Sequence, residues 1–130
     1  MEYTVTLPIY FMTSKKKTTM VGLNFYRNAH YGILNKMKKF FHDLVEEELC
    51  GRVPLKGQVE VHYKIFLKRR GSDGGNVGSV IAKYALDGAV TAGIILDDNA
   101  DIVVRETFEY FYDKTYPRAE VTIKELRISL

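Results

Sequence analysis

The sequence predicts one small α/β domain, with two helices packed on a mixed four-stranded sheet. Three observations point there. Segments with apolar residues at every second position alternate with segments at helical spacing, in the order β-α-β-α-β-β. No internal repeat or linker divides the 130 residues, a length typical of one domain. The composition, 46% hydrophobic and 27% charged, is that of a globular chain. Residues 1–130 are therefore read as a single domain.

The elements follow in order. Tyr3-Thr4-Val5-Thr6-Leu7 alternates with period two and stops at Pro8, which predicts a first strand. The polar stretch that follows contains Lys15, Lys16 and Lys17, runs to about Gly22, shows no periodicity and reads as a long loop. Asn28 is a candidate N-cap for a helix reaching about Leu49, with Leu34, Met37, Phe41, Leu44 and Val45 as its buried stripe. Gly51 and Pro54 end it. Val59, Val61, Tyr63, Ile65 and Leu67 alternate with polar residues in a half-buried strand that runs into Lys68-Arg69-Arg70. A second helix is expected from about Asn76 to Ala92, closed by Gly93. Strands from Ile102 to Tyr112 and from Ala119 to about Ile128 complete the sheet, joined by a turn at Asp113-Lys114-Thr115-Tyr116-Pro117.

Several function classes are excluded or unsupported. No apolar run approaches the roughly 20 residues of a membrane span, so no membrane partner is expected. Met1-Glu2-Tyr3-Thr4 lacks the basic-then-apolar order of a secretory signal. The single cysteine, Cys50, cannot form an internal disulfide and fits a reducing, cytoplasmic setting. His30, His42 and His62 share no metal-ligand spacing, and no phosphate-loop motif calls for a nucleotide cofactor.

Charge is more informative in its distribution than in its total of +3. Residues 1–70 carry 13 basic and 6 acidic side chains, and residues 71–130 carry 6 basic and 10 acidic. Three places in the acidic half put polar groups where folding alone does not demand them. Asp73 follows a basic run and precedes Gly74 and Gly75, which permit close backbone approach. Asn76, Lys83 and Asp87 fall within roughly 40° of one another on a helix. Asp97-Asp98-Asn99-Ala100-Asp101 concentrates carboxylates that a hard cation such as Mg²⁺ would neutralise. For each, a solvated turn or the wet side of a helix is the competing reading.

Taken together, Asp73-x-x-Asn76, Lys83-x-x-x-Asp87, Gly93 and Leu96-Asp97-Asp98 resemble the RusA family of Holliday-junction resolvases, above all its phage and prophage branch. The segment Leu23 to Tyr31 and the closing Pro117-Arg118-Ala119-Glu120-Val121 extend the likeness over nearly the whole chain. The resemblance implies a homodimeric, Mg²⁺-dependent endonuclease, Mn²⁺ being a possible substitute, that nicks opposing strands of four-way DNA junctions. It implies catalytic roles for Asp73, Lys83 and Asp98, with metal held by Asp73, Asp98, Asp97 and Asp87. DNA contact falls to Lys15, Lys16, Lys17, Arg27, Lys68, Arg69, Arg70 and Asn76, and the setting would be a bacterial or phage-infected cytoplasm. Gly75 stands where the family carries a second aspartate, and Ala82 where some phage members carry one. The alternative is a junction-binding protein of the same fold with weakened or lost catalysis.

Overall fold

The computed structural model describes residues 1–126, in which six strands and three helices are formed. The main sheet holds β1 (Glu2–Leu7), β4 (Val59–Leu67), β5 (Val103–Tyr112) and β6 (Arg118–Glu125), in the order β1-β6-β4-β5. β6 runs antiparallel to both β1 and β4, while β4 and β5 are parallel. The expected mixed four-stranded sheet is thus present. Its last strand ends at Glu125, and the remainder of the expected stretch, through Ile128, lies outside the described residues.

Alternation decides which face of this sheet is covered. Val59, Val61, Tyr63, Ile65 and Leu67 of β4 are buried, as are Val5 and Leu7 of β1 and Ala119, Val121 and Ile123 of β6. Helices α2 (Tyr31–Leu49) and α3 (Gly74–Thr91) cover that face, α2 meeting β1 and α3 meeting β4. The opposite face keeps polar side chains, including a Thr4–Thr122 hydroxyl pair at 2.9 Å. Arg118 is folded down on it, 3.8 Å from the Phe66 ring centre and bonded to Asp113 and Glu120 at 2.9 Å each. Asp113 is held below the usual carboxylate range by the Tyr116 N–H, the Thr115 hydroxyl and Arg118.

Three expectations need correction. The polar stretch before Gly22 is a β-hairpin, β2 (Tyr10–Ser14) with β3 (Lys17–Met20), rather than a loop. It shows no alternation because only Ile9, Phe11 and Val21 in and beside it are buried, and the ribbon otherwise stands in solvent. The first long helix does not begin at Asn28. A separate short helix, α1 (Leu23–Asn28), comes first, and α2 is capped by the His30 ring, whose Nδ1 accepts from the Gly32 N–H at 3.1 Å. The order is therefore β-β-β-α-α-β-α-β-β, with three helices where two were expected.

In α2 the buried stripe consists of Met37, Phe41, Val45 and Leu49, while Leu34 and Leu44 are only half-buried. α3 starts two residues before the expected Asn76, because Asp73 caps it through the Asn76 N–H at 3.1 Å. Gly93, with φ of +76°, ends the helical run as expected.

α3 packs unusually close to its neighbours because glycines face them. A Cβ on Gly88 would lie 2.7 Å from Cβ of Val45 on α2, and one on Gly74 would lie 2.3 Å from the Tyr110 ring. Gly88→Ala is therefore expected to destabilise the protein by about 1–3 kcal/mol, despite the better helix propensity of alanine. Denaturant unfolding measures the loss, and Val45→Ala in the same chain should recover part of it by making room. An unchanged midpoint for Gly88→Ala would refute the close contact.

Candidate functional site

α2 and α3 lie side by side, and the groove between their outer edges gathers cationic, acidic and imidazole side chains. Lys38 and His42 line it from α2, Lys83 and Asp87 from α3, and Asp98 from the turn after α3. This part of the groove encloses about 410 Å³. Lys83 Nζ stands 3.9 Å from Asp87 Oδ2, a loose i,i+4 pair that leaves the ammonium half exposed. The Nε2 atom of His42 is buried without a hydrogen-bond partner among the described residues.

The acidic turn is built mostly by its own side chains. Asp97 accepts the Asp98 N–H at 2.7 Å and the Asn99 carboxamide at 3.1 Å. Asn99 in turn accepts the Asp101 N–H at 3.0 Å, and its carbonyl accepts from Ile102 and Val103. Asp97 and Asn99 are thus spent on turn geometry. Asp98 is left pointing toward Asp97 and Asp87. Hydrogen bonding to Asp97, then a slight loss of solvent, then the Asp87 carboxyl raise the pKa of this exposed group above the usual aspartate value.

Asp73 is elsewhere. It caps the N-terminus of α3, whereas Asp87 lies 14 residues further along the helix, about 21 Å at 1.5 Å per residue. The turn that carries Asp98 follows the opposite end of α3 and does not come back to Asp73. Asp73 instead lies near Tyr110, whose hydroxyl pKa is raised by burial and by the Asp73 charge. Asn76 is also occupied, since its carboxamide oxygen accepts the Leu23 N–H at 3.2 Å and tethers α1. Gly22 lacks a capping side chain of its own, and Asn76 supplies that bond from α3.

Among the described residues, no set of three His, Cys, Asp or Glu side chains is arranged to hold a metal ion. Lys83, Asp87, Asp97 and Asp98 are brought together, and Asp73 is not among them. One chain by itself therefore does not fit the expected Mg²⁺ centre.

The candidate DNA-contacting cations fall into separate places. Lys15 and Lys16 form the tip of the β2–β3 hairpin, Lys17 opens β3, and all three are exposed. Arg27 is exposed in the last turn of α1. Lys68 and Arg69 share a cleft with Tyr10 and Met20 of the hairpin, and Arg70 lies 4.8 Å over the Tyr112 ring. The base of the hairpin and the Lys68–Arg70 turn thus adjoin next to the N-terminus of α3, whereas Lys15–Lys17 lie at the far end of the ribbon. Sequence spacing had not suggested Lys38 or His42 as groove residues. Both lie on the outer edge of α2, and only the side-by-side placement of α2 and α3 joins them to Lys83.

No protein-family model matches the chain, and no curated protein matches it.

The raised Asp98 pKa carries a stability consequence. Folding binds a proton to this carboxyl more readily than the unfolded chain does, so ionised Asp98 costs stability at neutral pH. The cost is full above the raised pKa and fades as pH falls through it toward the ordinary aspartate value. Asp98→Asn should therefore raise the melting temperature at pH 7 by about 1–2 °C, a surface-sized effect. The difference should vanish near pH 3.5. A lower melting temperature for the variant at pH 7 would contradict the crowding of Asp98 by its neighbours.

Proposed function

We propose that the protein is a Mg²⁺-dependent, structure-selective DNA endonuclease that nicks four-way junctions and works as a homodimer. One observation carries the reading: Lys83, Asp87 and Asp98 share one solvent-open groove, with Lys38 on the facing helix. Two ammoniums hold a backbone phosphate there, and carboxylates border the same position. Lys83 stabilises the charge that develops on phosphate oxygens during attack. Lys68–Arg70 beside the N-terminus of α3 and the separate lysines of the hairpin tip hold neighbouring phosphates, a contribution that weakens as salt rises.

The separation of Asp73 from Asp98 gives the homodimer a task. β5 is an edge strand, with every residue but Val103 at least partly open to solvent. Antiparallel pairing of β5 with its own copy, centred on Thr107, sets Arg105 opposite Glu109 twice and continues the sheet across both chains. α3 runs back along β5, its N-terminus beside Tyr110 and its C-terminus toward Val103. In such a pair the Asp73 end of one protomer therefore meets the same end of the joined sheet as the Asp97–Asp98 turn of its partner. The carboxylate set that one chain divides is supplied by two.

A second reading, junction binding without cleavage, is favoured by a specific feature. Gly75 and Ala82 supply no carboxylate on the outward side of α3, and the Asp73 carboxylate already serves as a helix cap.

With Mg²⁺ and a synthetic four-way junction, the expected product is a pair of opposed nicks, and Lys83→Ala should slow their formation by about 10²–10³-fold. Asp73→Asn and Asp98→Asn chains, each inactive alone, should regain nicking when mixed and refolded, since a mixed dimer keeps one complete site. Failure of the mixture to cleave would remove the shared site. Tight junction binding by a wild type that never nicks would leave the second reading in place.

A further inference from the structure

The groove continues past Lys83 into a second lobe that catalysis does not require. This lobe, of about 280 Å³, shares Lys38, Lys83 and Asp87 with the first and is walled by Tyr26, Tyr31 and Tyr84. Tyr31 is 73% exposed in the first turn of α2, so one side of its ring is open to a ligand. Its plane is backed by His30, with centroids 4.5 Å apart and planes 32° from parallel. Tyr26 meets Tyr84 edge-on at 6.2 Å, and Tyr84 lies flat on Phe41 of the core at 5.3 Å. The wall is therefore an anchored aromatic shelf beside two ammoniums. Asn35, a donor and acceptor of base-like geometry, lines the same lobe.

A planar ring beside a phosphate is the chemistry that matches this arrangement, and its size suits one base rather than a larger ligand. In a paired duplex both faces of each base are covered by its neighbours, so only an unpaired nucleotide can offer one to Tyr31. We propose that the tyrosine lobe binds an unpaired base of a DNA strand whose phosphate lies between Lys38 and Lys83. This rests on the reading of the groove as a DNA site and adds the part of the substrate it selects. Strand ends, bulges and opened junction centres supply such nucleotides, while uninterrupted duplex does not.

The test is fluorescence anisotropy at fixed salt with labelled dT12, a labelled 12-base-pair duplex, and unlabelled thymidine monophosphate as competitor. Wild type should bind dT12 more tightly than the duplex. Tyr31→Ala should weaken dT12 binding by about 5- to 100-fold, the range expected for losing one stacked base. Tyr31→Phe should keep it, and duplex binding should not change in either variant. Because Tyr31 is largely exposed, its removal leaves the core intact. Equal dT12 affinity for wild type and Tyr31→Ala would overturn the lobe as a base site, and continued duplex binding would show that the DNA reading survives. Displacement of dT12 by the monophosphate at matched nucleotide concentration would also overturn it, assigning the lobe to a free nucleotide. If neither DNA binds, both readings fall together.

Discussion

The placement of α3 is the constraint on which the rest of the structure depends. The helix is held close on two sides by missing side chains: Gly88 against Val45 of α2, and Gly74 and Gly78 against Tyr110 and Phe108 of β5. Interiors tolerate little overlap, so even a methyl group at these points must displace a neighbour. With α2 this close, the outer edges of the two helices become the walls of a single groove. Lys38 then faces Lys83, and Tyr31 faces Tyr84. With β5 this close, Tyr110 lies over the first turn of α3 and beside the carboxylate that caps it. Of the two glycines that looked suited to a ligand's approach, Gly74 is instead covered by the Tyr110 ring, while Gly75 stays open.

The same placement sorts the acidic residues by task. Asp73 begins α3, where a carboxylate satisfies an otherwise unpartnered N–H and complements the helix dipole. Asp97 closes a tight turn with two hydrogen bonds. Asp113 orders the β5–β6 turn through Thr115 and Tyr116 and anchors Arg118. Each of these has a structural reason to be acidic. Asp98 does not, because its neighbours Asp97 and Asp87 make its charge harder to hold. Asp98 is the one of these four whose carboxylate closes no turn and caps no helix, and it lies on the rim of the groove that also holds Lys83.

How much of this was legible in the chain depends on the kind of signal. β4 could be read residue by residue, since one buried face forces strict alternation from Val59 to Leu67. The end of α3 was legible from Gly93, a local signal, but the expected start falls two residues late because it does not take Asp73 for the cap. The β2–β3 hairpin escaped because an outlying ribbon with few buried residues has no pattern to impose. α1 escaped because the break at Ala29–His30 depends on an imidazole cap, and His is a rare capping residue. For the site, the Lys83–Asp87 pair follows from helical spacing alone. The separation of Asp73 from Asp98 also follows, once the helix between them is known to run unbroken through 18 residues. Membership of Lys38, His42 and Tyr31 could not be read, because it arises only when two helices far apart in sequence lie alongside each other.

The opposed charges of the two halves take on a different meaning in three dimensions. A basic first half and an acidic second half suggest a division of labour, with one part holding a polyanion and the other acting on it. The fold interleaves them instead. Lys38 and His42 come from the basic half, Lys83, Asp87 and Asp98 from the acidic half, and all five line one groove. Of the other cations, Lys68, Arg69 and Arg70 lie just before the N-terminus of α3, and Lys15–Lys17 at the hairpin tip. That end is already the positive end of the helix dipole. On the proposed reading a polyanion would be drawn to the Asp73 end of its own chain, while the crowded carboxylates sit at the other. A dimer joined through β5 puts these two ends together, so its shared sheet would align attraction and chemistry that a single chain keeps a helix length apart.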